Sequence, residues 1–213
     1  GGANTTVTFA DVDTGALGPG TYTHEIASAN DSASGTLTVQ QPPTFAVSNL
    51  QPASATVTNG TSVDISATVA NTGDQQGTQT VTLSVGSVRQ TESLTLAAGA
   101  NTTAAFSLAT GALGPGSYTH EIGTANDSAS GTLTVDPEPT AATFLVTNIQ
   151  PADAAVVNGT ELDISADVRN VGDLQGTQTL TLSAGALART QNVTLAGGAN
   201  TTVTFADVDT GAL

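Results

Sequence analysis

Residues 1–17 and residues 197–213 carry the same string, GGANTTVTFADVDTGAL, without a single difference. Two further echoes lie between them. FAVSNLQPASATVTNGTSVDISATVA (45–70) returns as FLVTNIQPADAAVVNGTELDISADVR (144–169), at an offset of 99. THEIASANDSASGTLTV (23–39) returns as THEIGTANDSASGTLTV (119–135), at an offset of 96. Self-similarity at such a spacing directs the chain toward a string of like units rather than one large core.

Reading one unit through sets the frame. A complete copy spans residues 45–135 and is followed by the linker DPEPTAAT (136–143). A second copy begins at residue 144 and runs to 213, short of its final two strands. Residues 1–39 hold the C-terminal part of a like unit, joined to the complete copy by QQPPT (40–44). Both linkers contain two prolines, which stiffen the connection and block continued strand pairing.

Inside the complete unit the hydrophobic period is two. Val63, Ile65, Ala67 and Val69 alternate with Asp64, Ser66 and Thr68, and Val81, Leu83 and Val85 with Thr82 and Ser84. Each alternation turns one face toward a core and the other toward solvent. Turn chemistry separates the segments: Asn59-Gly60, Thr72-Gly73-Asp74, Ala98-Gly99-Ala100-Asn101 and Gly114-Pro115-Gly116. Hydrophobic residues reach 38%, and the 39 threonines suit strands rather than helices. About seven short strands in each unit predict an all-β fold of tandem immunoglobulin-like β-sandwich domains, without a helix. Tyr22 and Tyr118 each follow a Gly-Pro-Gly turn and take the place of a tyrosine corner, in which the hydroxyl ties back to nearby backbone.

These motifs are similar to those of the CARDB (cell-adhesion-related domain) family, especially the versions in haloarchaeal surface proteins. The resemblance rests on F-x-V-x-N-[LI]-x-P from Phe45 and Phe144, and on V-x-N-G-T-x-[VL]-D-I-S-A-x-V-x-N-x-G-D. It continues through G-T-Q-T-[VL]-T-L to P-G-[ST]-Y-T-H, so it spans essentially the whole chain. It implies an extracellular immunoglobulin-like module, often in tandem, in envelope, adhesion or filament proteins. It brings no functional residues with it.

Charge narrows the function classes. Eighteen acidic residues face three arginines (Arg89, Arg169, Arg189) and no lysine, for a net charge of −15. Such a chain lacks the basic surface that nucleic acid requires, and electrostatic binding to anionic membrane is equally disfavoured. An acidic, lysine-free chain suits high salt, where self-repulsion is screened, although ordinary acidic solubility explains the same composition. With no cysteine, disulfides and thiolate metal sites are excluded. No apolar run reaches the length of a membrane span, and no signal peptide stands at the start, which reads as a mature subunit or a segment of something longer.

Candidate sites divide into glycan acceptors and polar residues of the turns. Asn-x-Ser/Thr occurs at Asn4, Asn30, Asn59, Asn101, Asn126, Asn158, Asn192 and Asn200, which is eight of twelve asparagines and more than the serine and threonine content produces by chance. On a secreted chain these turn positions would accept N-linked glycans. Asn4, Asn101 and Asn200 share an Ala-Asn-Thr-Thr context, whereas Asn59 and Asn158 also read as Asn-Gly hairpin turns. His24 and His120 occupy one equivalent position and read as structural residues pointing inward or toward a sheet margin. Asp11/Asp13 and Asp207/Asp209 form D-x-D pairs of the kind calcium uses, but the complete copy has Ser107-Leu108-Ala109 there, so a solvated loop is expected. Glu25 and Glu121 find no nucleophile or second carboxylate. No catalytic site, metal or cofactor is expected.

The expected role is therefore structural: part of an extracellular, cell-surface filament, stalk or fibre whose partner is itself, head to tail. The repeat allows one long polypeptide or separate subunits exchanging strands. A continuous array is preferred, because residues 1–17 and 197–213 would compete for one place in the exchanged form. An adhesin or binding module is the alternative, although the 3% aromatic content with no Trp leaves few contact platforms. A spacer or accessory domain of a secreted protein is a further one.

Overall fold

Alternating side chains and β-branched residues form strands wherever one face can be buried, and fifteen strands result among residues 2–212, which the computed structural model describes. The only helical elements among them are two single 3-10 turns, Thr110–Ala112 and Thr210–Ala212. The chain divides into two units, Gly1–Pro137 and Glu138–Leu213.

The first unit opens with the antiparallel hairpin β1 (Gly20–Ala27) and β2 (Ser32–Val39). A two-sheet sandwich follows. Its smaller sheet orders β3 (Phe45–Gln51), β5 (Ser62–Asn71) and β8 (Asn101–Ala109) side by side. Its larger sheet runs β4 (Ser54–Thr58), β10 (Ser128–Asp136), β9 (Gly116–Gly123), β6 (Gly77–Val85) and β7 (Val88–Leu96). The period-two faces meet between the sheets, where Ile65, Val69, Leu83, Leu108, Ile122 and Leu133 are fully buried. This sandwich has eight strands against the expected seven or so. Its first strand is divided at Pro52, which has no N–H for a ladder, and the two halves join opposite sheets. β3 pairs antiparallel with β5, whereas β4 pairs parallel with β10.

Asn49, the polar residue of the opening motif, sits at the irregularity between Ser48 and Gln51 in the β3/β5 pairing. Its φ of 52° is one that asparagine tolerates better than most residues.

The second unit repeats part of this plan. β11 (Phe144–Gln150), β12 (Glu161–Asn170) and β15 (Asn200–Asp209) form one sheet. β13 (Gly176–Ala184) and β14 (Leu187–Leu195) form a separate hairpin. Among the described residues, nothing in this unit occupies the places that β9 and β10 take in the first. Residues 153–157, which correspond to β4, are accordingly not a strand, because the parallel partner is missing. Its buried cluster is small, with Val168, Val193, Leu195 and Val203 at the centre.

Candidate functional site

Two equivalent asparagines hold each sandwich together at one end. The Asn71 side chain donates to the carbonyls of Gln75, Leu96 and Ala97 at 2.8, 3.1 and 3.2 Å. Its Oδ1 accepts from the backbone of Gly73 at 3.1 Å and of Thr44 at 3.3 Å. Asn170 repeats the set with Leu174, Leu195, Ala196, Gly172 and Thr143. Both are buried, so the saturation of donors and acceptors is what allows an amide there. Beside them the acidic end of the N-x-G-D motif clamps each linker. Asp74 Oδ2 accepts from Gln41 N at 2.8 Å, and Asp173 Oδ2 accepts from Thr140 N and Oγ1 at 2.9 and 2.7 Å. The Thr140 hydroxyl, then its backbone N–H, hold the Asp173 carboxyl below its ordinary 3.8.

Tyr118 donates its hydroxyl to Gly114 O at 2.8 Å, and Tyr22 to Gly18 O at the same distance. His120 is fully buried, with Nε2 2.8 Å from Pro52 O and Nδ1 without a partner. His24, in the hairpin that lacks a surrounding sandwich, is exposed. Asp207 and Asp209 lie at the end of β15 rather than in a loop. The residue extra to 107–109 forms a bulge, with Asp207 at φ 53° and its N–H donating to Asp163 Oδ1 at 3.0 Å. Asp209 Oδ1 accepts from Gly211 N at 2.8 Å, and Asp13 Oδ1 from Gly15 N at 2.8 Å. Among the described residues no three of His, Asp and Glu gather as a metal site would require.

The eight sequon asparagines are placed unequally. Asn4, Asn30, Asn101, Asn126, Asn158, Asn192 and Asn200 are exposed, whereas Asn59 is half-buried. Asn59 Nδ2, the atom a glycan would occupy, donates to Leu113 O at 2.6 Å. Asn126 and Asn192 use Oδ1 as acceptors, the first for Phe45 N at 3.0 Å and the second for Thr179 Oγ1 at 2.7 Å.

Val146, Ile149, Ile164, Leu180, Leu182 and Phe205 line a cleft between the two sheets of the second unit. Ile149 is 54% exposed, while Leu50, its counterpart in the complete sandwich, is 8% exposed. Among the described residues β11 pairs on one edge only, with β12. In the complete sandwich the turn between β9 and β10 covers the other edge of the equivalent β3: Asp127 Oδ2 accepts from Val47 N at 2.8 Å, Asn126 Oδ1 accepts from Phe45 N, and Thr124 Oγ1 donates to Phe45 O at 2.9 Å. Among the described residues the second unit has no such turn. This cleft was legible in the sequence only through the repeat frame, and the edge-covering role of Asn126-Asp127 was not, since the pair resembles any polar turn.

No family model matches the sequence, and no curated protein does. Among solved structures, the chain is similar to the CARDB domain of a Pyrococcus furiosus protein, determined in complex with di-metal ions. The TM-score is 0.38 and the identity 12%, over 46% of this chain and 96% of that one. It is also similar to a β-glucosidase from Listeria innocua (TM-score 0.37, 18% identity), over 45% of this chain but only 16% of the enzyme. A 1.5-MDa bacterial ice-binding adhesin is similar over 79% of this chain and 55% of that chain, with a TM-score of 0.38 and 17% identity.

Proposed function

We propose that this chain is a structural component of an extracellular, cell-surface filament, stalk or fibre, built from glycosylated immunoglobulin-like repeats joined head to tail, with no catalysis of its own. The observation that carries this reading is the repeat itself: residues 144–169 restate 45–70 and residues 119–135 restate 23–39, so like units follow one another along the chain. Units joined head to tail make contacts that do not close on themselves, the geometry that propagates a fibre. Seven exposed sequons agree with a secreted, glycan-bearing surface. The charge of −15 without lysine agrees with salt-rich surroundings, in which like-charged units can approach.

The test is immunogold electron microscopy of intact cells, combined with the mass of the native, denatured polypeptide before and after deglycosylation. Gold along thin surface fibres and a mass drop on deglycosylation are expected. Label confined to the cell interior would overturn the reading, and an unchanged mass would overturn its glycan part.

A further inference from the structure

We propose that the short segment entering each sandwich is a strap latched to the N-x-G-D loop, which takes tension arriving along the chain and passes it to both sheets before the first strand is strained. The proposal rests on the fibre reading, because sustained tension reaches a unit only where it is held in a fibre.

The first observation is that the strap occurs twice, on different sequences. Gln41, Pro42, Pro43 and Thr44 precede β3, and Thr140, Ala141, Ala142 and Thr143 precede β11, so only the closing threonine is shared. Yet Gln41 N donates to Asp74 Oδ2 at 2.8 Å, and Asp74 N returns a bond to Gln41 O at 3.0 Å. Thr140 and Asp173 repeat the exchange at 2.9 and 3.1 Å. Further along, Thr72 N donates to Thr44 O and Val171 N to Thr143 O, both at 2.8 Å. The straps contribute backbone, so the geometry is dictated by the receiving loop. Its glycine makes the approach possible. A Cβ at Gly73 would lie 2.2 Å from Pro42 O, and one at Gly172 2.0 Å from Ala141 O, so no side chain fits at either position.

The second observation is the direction in which the complete sandwich would be pulled. The chain enters beside the turn between β9 and β10, where Phe45 N meets Asn126 Oδ1. It leaves at the other end of β10, where Asn59 N meets Asp136 O at 2.8 Å. A pull between entry and exit therefore runs along the strands. Without the strap it would act first on β3, which among the described residues pairs with β5 alone and loses register between Ser48 and Gln51. The strap bonds stand ahead of that strand.

The third observation is where the tension goes. Thr44 N donates to Asn71 Oδ1 at 3.3 Å, and the same side chain holds Leu96 O, at the end of β7 in the larger sheet, at 3.1 Å. The strap thus reaches β5 through the loop and the larger sheet through the buried amide. Asp74 itself is exposed, and an exposed hydrogen bond exchanges with water and adds little at rest. Its worth lies in holding the strap when the chain is pulled.

The chain has no cysteine, so a pair of introduced cysteines defines where force is applied. Held at constant force through T38C and E138C, the complete sandwich is pulled through its strap. Held through S48C and E138C, it is pulled from within β3, past the strap. Lifetimes under force follow the unfolding rate. D74A is expected to shorten the lifetime about ten- to a hundred-fold in the first geometry, the range for a hydrogen bond to a charged group, and to leave the second unchanged. D74N keeps an oxygen acceptor and should lose less. Q41P removes the donor from the strap without altering any residue of the sandwich, so it is expected to reproduce D74A and reads the same effect if D74A does not fold. Equal shortening in both geometries would mean that Asp74 only stabilises the sandwich, and an unchanged lifetime in the first would mean that the strap carries no tension. Either result overturns the proposal. Neither touches the fibre reading, which fails on the gold label instead, so the two failures are separable.

Discussion

The Asn71 amide donates to Leu96 O at 3.1 Å across the end of the sandwich, joining the last residue of β5 to the last residue of β7 in the opposite sheet. Five hydrogen bonds converge on this one side chain, and its surroundings are closed to water. Removing it leaves three carbonyls and two amides short of a partner. Asn71→Ala is expected to destabilise the first unit by about 3 kcal/mol or more, since each buried unsatisfied group costs about 1–3 kcal/mol. Asn71→Asp should be no milder, because a carboxylate cannot donate to Gln75, Leu96 and Ala97. Denaturant unfolding followed by hydrogen exchange of the first unit's strands checks both. Near-native protection in either variant would contradict the account.

Asp167 and Asp173 contribute to the acid response of the second unit. The side chains of Asn148, at 2.9 Å, and Thr202, at 2.7 Å, hold the Asp167 carboxyl below its ordinary 3.8, as Thr140 does for Asp173. A carboxyl whose folded value is depressed contributes stability that is fully present above its unfolded value. That contribution is lost as pH falls through the folded value. The stability these two carboxyls contribute should therefore be lost only below about pH 3.8, and the loss should shrink when either network is cut. Thr140→Val removes the largest cause at Asp173 and is expected to return its titration toward 3.8, measured by carboxyl carbon NMR. An unmoved titration would mean that the hydroxyl is not what depresses it.

Much of this architecture is readable from alternation alone. Val63, Ile65, Ala67 and Val69 turn inward together, as their spacing requires. That same inward series ends on Asn71, and this polar residue in a core position was the available sign of a buried network. Read locally, Asn71 is only the start of a turn, because its five partners come from three separate segments. The division of the first strand at Pro52 needed knowledge of which sheet each half would meet. The bulge at Asp207 was visible as one residue too many relative to 107–109, yet length alone does not distinguish a bulged strand from a loop. The likeness of β1 and β2 to β9 and β10 is the clearest product of the repeat, since residues 23–39 restate 119–135 with two changes.

Gly131, in β10, lies against the chain that leads into β4. A Cβ there would lie 2.4 Å from Ala53 O and 2.7 Å from the His120 ring. The backbone oxygen cannot swing aside without breaking the bond from Thr132 N to Ala53 O, 3.0 Å long. Gly131→Ala is expected to cost about 1–3 kcal/mol, as overpacking does, and to detach β4 from the sheet. At Gly35, the equivalent position, only the exposed His24 ring stands in the way, at 2.8 Å. Gly35→Ala should leave the first unit's unfolding midpoint unchanged while Gly131→Ala lowers it. Equal effects would show that β4 is not the obstacle.

Glycan occupancy should follow the geometry of Nδ2 rather than the sequon. Asn59 Nδ2 is held by Leu113 O at 2.6 Å in a half-buried turn, and Leu113 itself is buried. Transfer of a glycan to this nitrogen would require the bond to break, and would place a bulky polar group against the 3-10 turn that follows β8. Asn101 has the same Asn-x-Thr pattern but stands exposed at the start of β8. Glycopeptide mass spectrometry of the native protein is expected to find Asn101 occupied and Asn59 bare. The substitution Asn59→Gln separates the two roles. It abolishes the sequon and disturbs the bond to Leu113, so it should lower stability without changing the glycoprotein's mass by a glycan. A loss of glycan mass in that variant would mean that the turn opens before it is folded shut, and that modification precedes closure of the sandwich.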